Sequence, residues 1–378
     1  MSLSSWKFES SHGHKQSGQK LDFFVLYTMR IALLHTNPYY QEIDDLILDI
    51  VSNFKLRDFK LFEINYCDFK WYDLTKVLEL RRFLKENNID IIHTFHYLDA
   101  YCAIWASKGL HVKVVYSSYF YHDSLNGFDK KVFSRVLKKV DSIIFQSDIH
   151  KNKIVSQYNL DSKKHFRLYH GFSLKRLDKF KFKSLRDEFF IDDFRYMLGT
   201  LGDFTPDHDI MNILKMVKKL KKTGRNFTCL LAGDKIEKYD FYFDDCKYYY
   251  LVHGLDNYVN YIGHRYDSVN FLSQLDVFVY HTDNEPISLP IILAMIMGVN
   301  VVVNDNEMIK EISHNGKYAV LYKSNDIADF ADKTRQVLND LEDYQLIAET
   351  IREECRERFC IDRYISGLRE IYLKVKKY

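Results

Sequence analysis

The chain has 378 residues, 47% hydrophobic and 28% charged, with a formal net charge of +2. This composition excludes a disordered, collagenous or membrane-embedded protein, and the length suits two domains of about 150 residues each. Only 14 glycines and 4 prolines stand against 28 tyrosines and 28 phenylalanines, which predicts long elements joined by short loops. Charge is uneven: Arg30 to Phe180 carries 24 Lys/Arg against 18 Asp/Glu, so the front is basic and the remainder acidic. The six cysteines form no Cys-x-x-Cys pair and no Cys/His cluster at zinc spacing, which predicts a reducing compartment and no metal. Polar Met1–Lys20 does not read as a signal peptide, and Leu21–Leu34 is too short and too charged to span a bilayer. Residues 1–28 are therefore expected to be an extension or expression remnant.

From Met29 onward, short apolar runs alternate with helical patterns, the signature of βαβ units. Strands are predicted over Arg30–His35, Lys60–Ile64, Asp90–Thr94, Val112–Ser117, Asp141–Gln146 and Arg167–His170. Helices fall between them over Ile43–Val51, Asp73–Glu86, Tyr97–Lys108, Asp129–Val140 and Ile149–Tyr158. The charged stretch Ser173–Phe194 lacks periodicity and reads as a linker. A second alternating set follows, with strands over Tyr196–Thr200, Asn226–Ala232, Tyr258–Ile262, Asp276–His281 and Val299–Asn304. Its helices are Ile210–Lys222, Asp267–Leu275 and Leu289–Met297, with further helices filling much of Ile327–Lys377. The expected division is a first parallel-sheet domain over 29–175, a second over 195–350, and helices over 351–378 packing toward the first. Ligands in such α/β folds bind at the carboxyl ends of strands, so the cleft between the domains is the expected site.

The densest chemical signal is His281–Gly298, HTDNEPISLPIILAMIMG. A strand ends, a loop presents Asp283, Asn284 and Glu285, and an apolar helix begins near Ser288. Ser288 is a candidate cap, and Pro290 suits a first turn because its missing N–H has no intrahelical partner. The N–H groups of that helix start favour an anion, and Glu285 just before it can accept hydroxyl hydrogen bonds from a polyol.

This stretch resembles the donor site of the retaining group 1 glycosyltransferases, whose GT-B fold consists of two Rossmann-like parallel-sheet domains facing a cleft. Their pattern E-P-F-G-x-x-x-x-E-A-M-A-x-G aligns with Glu285-Pro286-Ile287-Ser288 and Leu293 through Gly298. LSQLDVFVY (Leu272–Tyr280) and VNVVVNDNEMIKEISHNGKYAVLY (Val299–Tyr322) resemble the family's flanking segments. The resemblance implies that Glu285 is the catalytic-site carboxylate contacting donor hydroxyls. It assigns donor contacts to Gly202, Asp203, His208, His264, Arg265, Ile287, Ser288, Leu289 and Leu293. It also suggests His122 as a second catalytic residue, with His96 and Asp123 on the acceptor side.

Three of the departures from the family pattern bear on nucleotide binding. Leu293 stands where a second Glu holds the ribose, and in the loop LGDFTPDHDI Asp203 and His208 replace the Arg and Lys that grip the diphosphate. Each missing cation removes a charge-assisted hydrogen bond of about 1.5–3 kcal/mol, for which protonated His208 and Arg265, just after Gly263, are the candidate substitutes. The resemblance implies a metal-independent transferase without cofactor, using a nucleotide-sugar and a glycan or glycolipid acceptor in cell-surface polysaccharide synthesis. A catalytically silent, glycosyltransferase-like binding protein is the alternative. The basic helix carrying Lys130, Lys131, Arg135, Lys138 and Lys139 suggests peripheral contact of a cytoplasmic protein with anionic membrane. No nucleic-acid-binding module is present in the sequence.

Overall fold

The computed structural model describes residues 28–35, 41–54, 59–65, 74–119, 125–283, 285 and 287–377. The first domain contains β1 (Met29–His35), α1 (Gln41–Asn53), β2 (Phe59–Asn65), α2 (Leu74–Glu86), β3 (Ile91–Thr94), α3 (Tyr97–Ser107) and β4 (Lys113–Ser118). It continues through α4 (Gly127–Lys139), β5 (Ser142–Phe145), α5 (Asp148–Tyr158) and β6 (His165–Arg167). The stretch expected as a linker holds two short helices, α6 (Leu174–Leu177) and α7 (Leu185–Phe189).

The second domain runs β7 (Tyr196–Leu201), α8 (Ile210–Lys221), β8 (Phe227–Ala232), α9 (Asp240–Val252), β9 (Val259–Gly263), α10 (Ser268–Leu272), β10 (Val277–Tyr280) and α11 (Leu289–Met297). It then continues through β11 (Asn300–Asn304), α12 (Glu307–Ile312), β12 (Val320–Tyr322), α13 (Ile327–Asn339) and α14 (Leu341–Arg358). A last helix, α15 (Ile361–Lys377), returns to the first domain.

Both sheets are parallel and six-stranded, ordered β2-β1-β3-β4-β5-β6 and β12-β11-β10-β7-β8-β9. The inner strands, such as β5, β8 and β11, are mainly apolar runs buried on both faces, as a parallel sheet covered by helices requires. In the second sheet the chain leaves β7 toward β8 and later returns to pair β10 on the other side of β7. Strand order therefore reverses between β7 and β10. The loops leaving these two strands stand side by side at the carboxyl edge of the sheet, the place where ligands bind in such folds.

The chain passes between the domains twice at one place. Phe172 N–H donates to the Phe359 carbonyl at 2.8 Å, and Ile361 N–H donates to the Phe172 carbonyl at 2.9 Å. A Cβ on Gly171 would lie 2.5 Å from Tyr364 Cβ, so only glycine allows the two segments to pass this closely. The crossing falls later than the expected boundary at 351, because α14 still packs on α11 and contributes Cys355 to the second core. Beyond it, α15 buries Ile361, Tyr364, Leu368, Tyr372 and Val375 against Ile31, Leu33, Ile47 and Ile50 of the first domain. Hydrophobic spacing on this last helix thus closes a core begun more than three hundred residues earlier.

Candidate active site

Two loops build the site, one after β7 and one after β10. Gly202 follows β7 and its N–H donates to the Ala232 carbonyl at 2.9 Å. A Cβ on Gly233 would sit 2.0 Å from the Gly202 carbonyl oxygen, so the chain after β8 lies directly against this loop. From here Asp203 accepts the Asp234 N–H at 2.8 Å through Oδ1. On the other side, Asn304 at the end of β11 bonds the backbone of Thr282 in both directions, at 3.1 and 2.9 Å. The Asp283 N–H donates to the Asp207 carbonyl at 3.3 Å, joining the two loops.

At that junction lies the central contact. His208 Nε2 is 2.6 Å from Glu285 Oε1, while His208 Nδ1 is 3.1 Å from the Asp203 carbonyl. Both ring nitrogens face acceptors, which favours the imidazolium. Burial alone lowers the pKa of this histidine, but the Glu285 carboxylate and the Asp203 carbonyl outweigh it and raise it to about 9. Tyr280 OH donates to the same Oε1 at 3.0 Å. Glu285 Oε2 is buried and makes no hydrogen bond among the described residues. A buried carboxylate oxygen without a donor costs on the order of 1–3 kcal/mol, a cost that a bound hydroxyl offsets.

The other sequence-derived residues fall into distinct environments. Arg265, expected as a substitute cation for the diphosphate, is instead neutralised by Glu188 at 2.5 Å and Asp267 at 2.7 Å. Its planar fork is satisfied by two carboxylates, so it is not a free phosphate ligand here. Ser288 occupies the cap position of α11, but its hydroxyl makes no capping bond, contrary to expectation. The Pro290 expectation holds, with proline in the first turn. Ile287 and Leu293 are buried in the second-domain core with 7% and 6% exposure, and Leu289 packs against it. Leu293 therefore presents hydrocarbon where a ribose contact was sought.

His264 Nδ1 lies 3.3 Å from Asp234 Oδ2, and its ring packs edge-on against Tyr266. Asp203, Asp234 and His264 bring ligand atoms within 4.8 Å of one another and are the described residues that could hold a metal ion here. His96 caps α3, its Nδ1 accepting the Leu98 N–H at 3.3 Å; burial lowers its pKa to about 4. His122 and Asp123 lie outside the described residues. Sequence reasoning passed over Tyr280 and Asn304. A tyrosine ending an otherwise nonpolar strand and an asparagine ending the next were the available signals.

The family model for group 1 glycosyl transferases matches residues 181–354, and that for Glycosyltransferase Family 4 matches residues 43–176. The chain is a glycosyltransferase, and its second domain belongs to the group 1 family. No curated protein sequence matches it closely. Among solved structures, the glycosyltransferase chain resembles Anabaena HepE, crystallised with UDP and glucose, at 16% identity and a TM-score of 0.77, covering 92% of this chain and 100% of that one. Sucrose-phosphate synthase from Thermosynechococcus elongatus superposes with a TM-score of 0.72 at 12% identity, covering 92% and 99%. The lipopolysaccharide outer core galactosyltransferase WaaB gives 0.66 at 16%, again covering 92% and 99%. At these identities the likeness establishes the fold, which is GT-B.

Proposed function

We propose that this glycosyltransferase moves a sugar from a nucleotide-sugar to a hydroxyl of a glycan or glycolipid, with retention at the anomeric carbon and without a metal. The observation that carries the reading is Glu285, held through one oxygen by His208 and Tyr280 and left with a second, unsatisfied oxygen beside the start of α11. The diphosphate lies against the N–H groups opening α11 and the backbone around Gly202, where aligned peptide dipoles favour negative charge. As the anomeric C–O bond breaks, its electrons go to the diphosphate. The acceptor oxygen attacks from the face the diphosphate leaves, through a front-face displacement or a short-lived ion pair. The acceptor proton passes to the departing phosphate oxygen. The UDP and glucose bound to HepE, and the sugar transfer named for WaaB, support a nucleotide-sugar donor and a cell-surface glycan as product.

The deciding experiment is Glu285→Gln. Sugar transfer should fall strongly while the circular dichroism spectrum keeps its native shape, since the amide keeps the shape of the carboxylate; the melting temperature should drop because the His208 imidazolium loses its partner. Unchanged transfer would sink the assignment. Transfer should also survive EDTA; loss restored by Mn²⁺ would point instead to Asp203, Asp234 and His264 as a metal site. The silent relative is favoured by one observation, that Arg265 is consumed by Glu188 and Asp267. It predicts no thermal shift with any nucleoside diphosphate.

The proposed location is cytoplasmic, with peripheral contact at the inner membrane face. Among the described residues, no helix is long and apolar enough to cross a membrane. On α4, Lys131, Arg135, Lys138 and Lys139 are exposed, while Val132, Phe133, Val136 and Leu137 are spent on the domain core. Any attachment through α4 is therefore electrostatic. Binding to anionic vesicles should weaken steeply as salt rises and vanish on charge reversal of these four residues.

A further inference from the structure

Tyr280 is the last residue of β10 and has 1% of its surface exposed. Its ring stacks on Phe278 with centroids 5.6 Å apart and lies 5.8 Å from the His208 ring, so the phenol has little freedom to turn. Its hydroxyl reaches Glu285 Oε1, the oxygen that also receives the His208 N–H. Two donors of different chemistry thus converge on one carboxylate oxygen, from β10 and from the loop after β7. The other oxygen is buried and receives none among the described residues. We propose that Tyr280 is a positioning residue for donor-sugar recognition: with His208 it fixes Glu285 through Oε1 and reserves Oε2 for a sugar hydroxyl. The inference rests on the donor-site reading above.

Two bonds to one oxygen define the carboxylate's rotation better than one. Without the tyrosine hydroxyl, the carboxylate can pivot about its bond to His208, and Oε2 loses its direction. Such a group acts on the sugar alone, because the nucleoside diphosphate makes its contacts with other atoms. Burial, followed by the neighbouring carboxylate, raises the phenol's pKa, so the hydroxyl keeps its proton and remains a donor throughout the working pH range. The wider loop is acidic, with Asp203, Asp207, Asp209 and Asp283 near this group, and His208 is the cation that faces Glu285.

Calorimetric titration of wild type, Tyr280→Phe and Glu285→Gln should compare UDP with UDP-glucose, ADP with ADP-glucose and GDP with GDP-glucose. Phenylalanine fills the same space, and a melting curve for each variant checks the fold. For the pair that binds wild type, Tyr280→Phe should weaken the sugar nucleotide about five- to tenfold, the scale of one hydrogen bond, and leave the free diphosphate unchanged. An equal loss for both ligands would mean general loosening and overturn the positioning role. A Glu285→Gln variant that loses the sugar preference while Tyr280→Phe keeps it would also overturn the role, leaving the donor site intact. If wild type binds no pair, or Glu285→Gln keeps full sugar preference, the donor-site reading fails and this inference fails with it.

Discussion

Glu311, on α12 of the second domain, accepts the backbone N–H of Asp148, in the first turn of α5 of the first domain, at 2.7 Å. The same carboxylate takes the Ile149 N–H at 2.9 Å and the Tyr169 hydroxyl at 2.9 Å. Arg358 then bonds the Tyr169 hydroxyl and the carbonyls of Glu311 and Ile312. First-turn N–H groups have no intrahelical partners, so a carboxylate from across the cleft satisfies two of them and meets the positive end of the helix dipole.

Removing that carboxylate should loosen the domains. Glu311→Ala is expected to cost about 1–2 kcal/mol, the scale of a lost helix cap with its charge-assisted bonds. The radius of gyration from small-angle scattering should rise, while the secondary structure stays intact. An unchanged scattering profile would mean that the paired crossing at Phe172 and Phe359–Ile361 suffices to hold the domains together.

Stability should fall on both sides of neutral pH, for histidines of opposite kind. His208 has its folded pKa raised to about 9, above the ordinary value of 6.5. Its contribution is complete below pH 6.5 and is lost as pH rises through about 9. His93 is fully buried between the Tyr372 hydroxyl at 2.6 Å and Ser117 Oγ at 2.8 Å, and burial lowers its pKa to about 3. His170 is likewise lowered to about 3, by burial and then by Arg176. For these two the unfolded chain takes up protons that the folded chain refuses, so stability is lost as pH falls from 6.5 toward 3. Melting curves against pH should show both limbs. His208→Gln should flatten the alkaline limb, while His93→Gln should remove only part of the acid one because His170 remains.

Leu293→Glu should not restore a ribose contact. The side chain is 6% exposed among Ile291, Ile292, Met295 and their neighbours in the second-domain core. An ionised carboxylate there has no evident partner, and the variant should lose several kcal/mol of stability with no gain in nucleotide affinity. Tighter nucleoside diphosphate binding at unchanged melting temperature would show that the helix can turn this position outward.

The two-domain α/β architecture was legible from the chain alone. Buried parallel strands must be continuous apolar runs such as Ser142–Phe145 and Phe227–Ala232, and amphipathic helices between them leave a period that local chemistry cannot hide. The loop from His281 to Ser288 was legible too, because a strand end, a carboxylate and a proline-led helix stand next to one another in sequence. Elements with weaker local signals were not. Helix α9 buries only Cys246 of its thirteen residues, so its hydrophobic pattern gave no stripe to read.

The partners of the functional groups were decided only by tertiary structure. His208 and Glu285 are 77 positions apart, and nothing in either segment names the other. They meet because β7 and β10 are neighbours where the strand order reverses, which depends on pairing between distant strands. Arg265 read as a spare cation until Glu188, also 77 positions away, was brought against it. Local propensity and hydrophobic period are properties of neighbouring residues, so the sequence by itself determined the elements, the layers and the place of the His281–Ser288 loop. Charge pairing acts through space over a few ångströms. Which histidine meets a carboxylate, which arginine is already neutralised and which carboxylate oxygen receives no donor among the described residues were therefore decided only when the sheets closed.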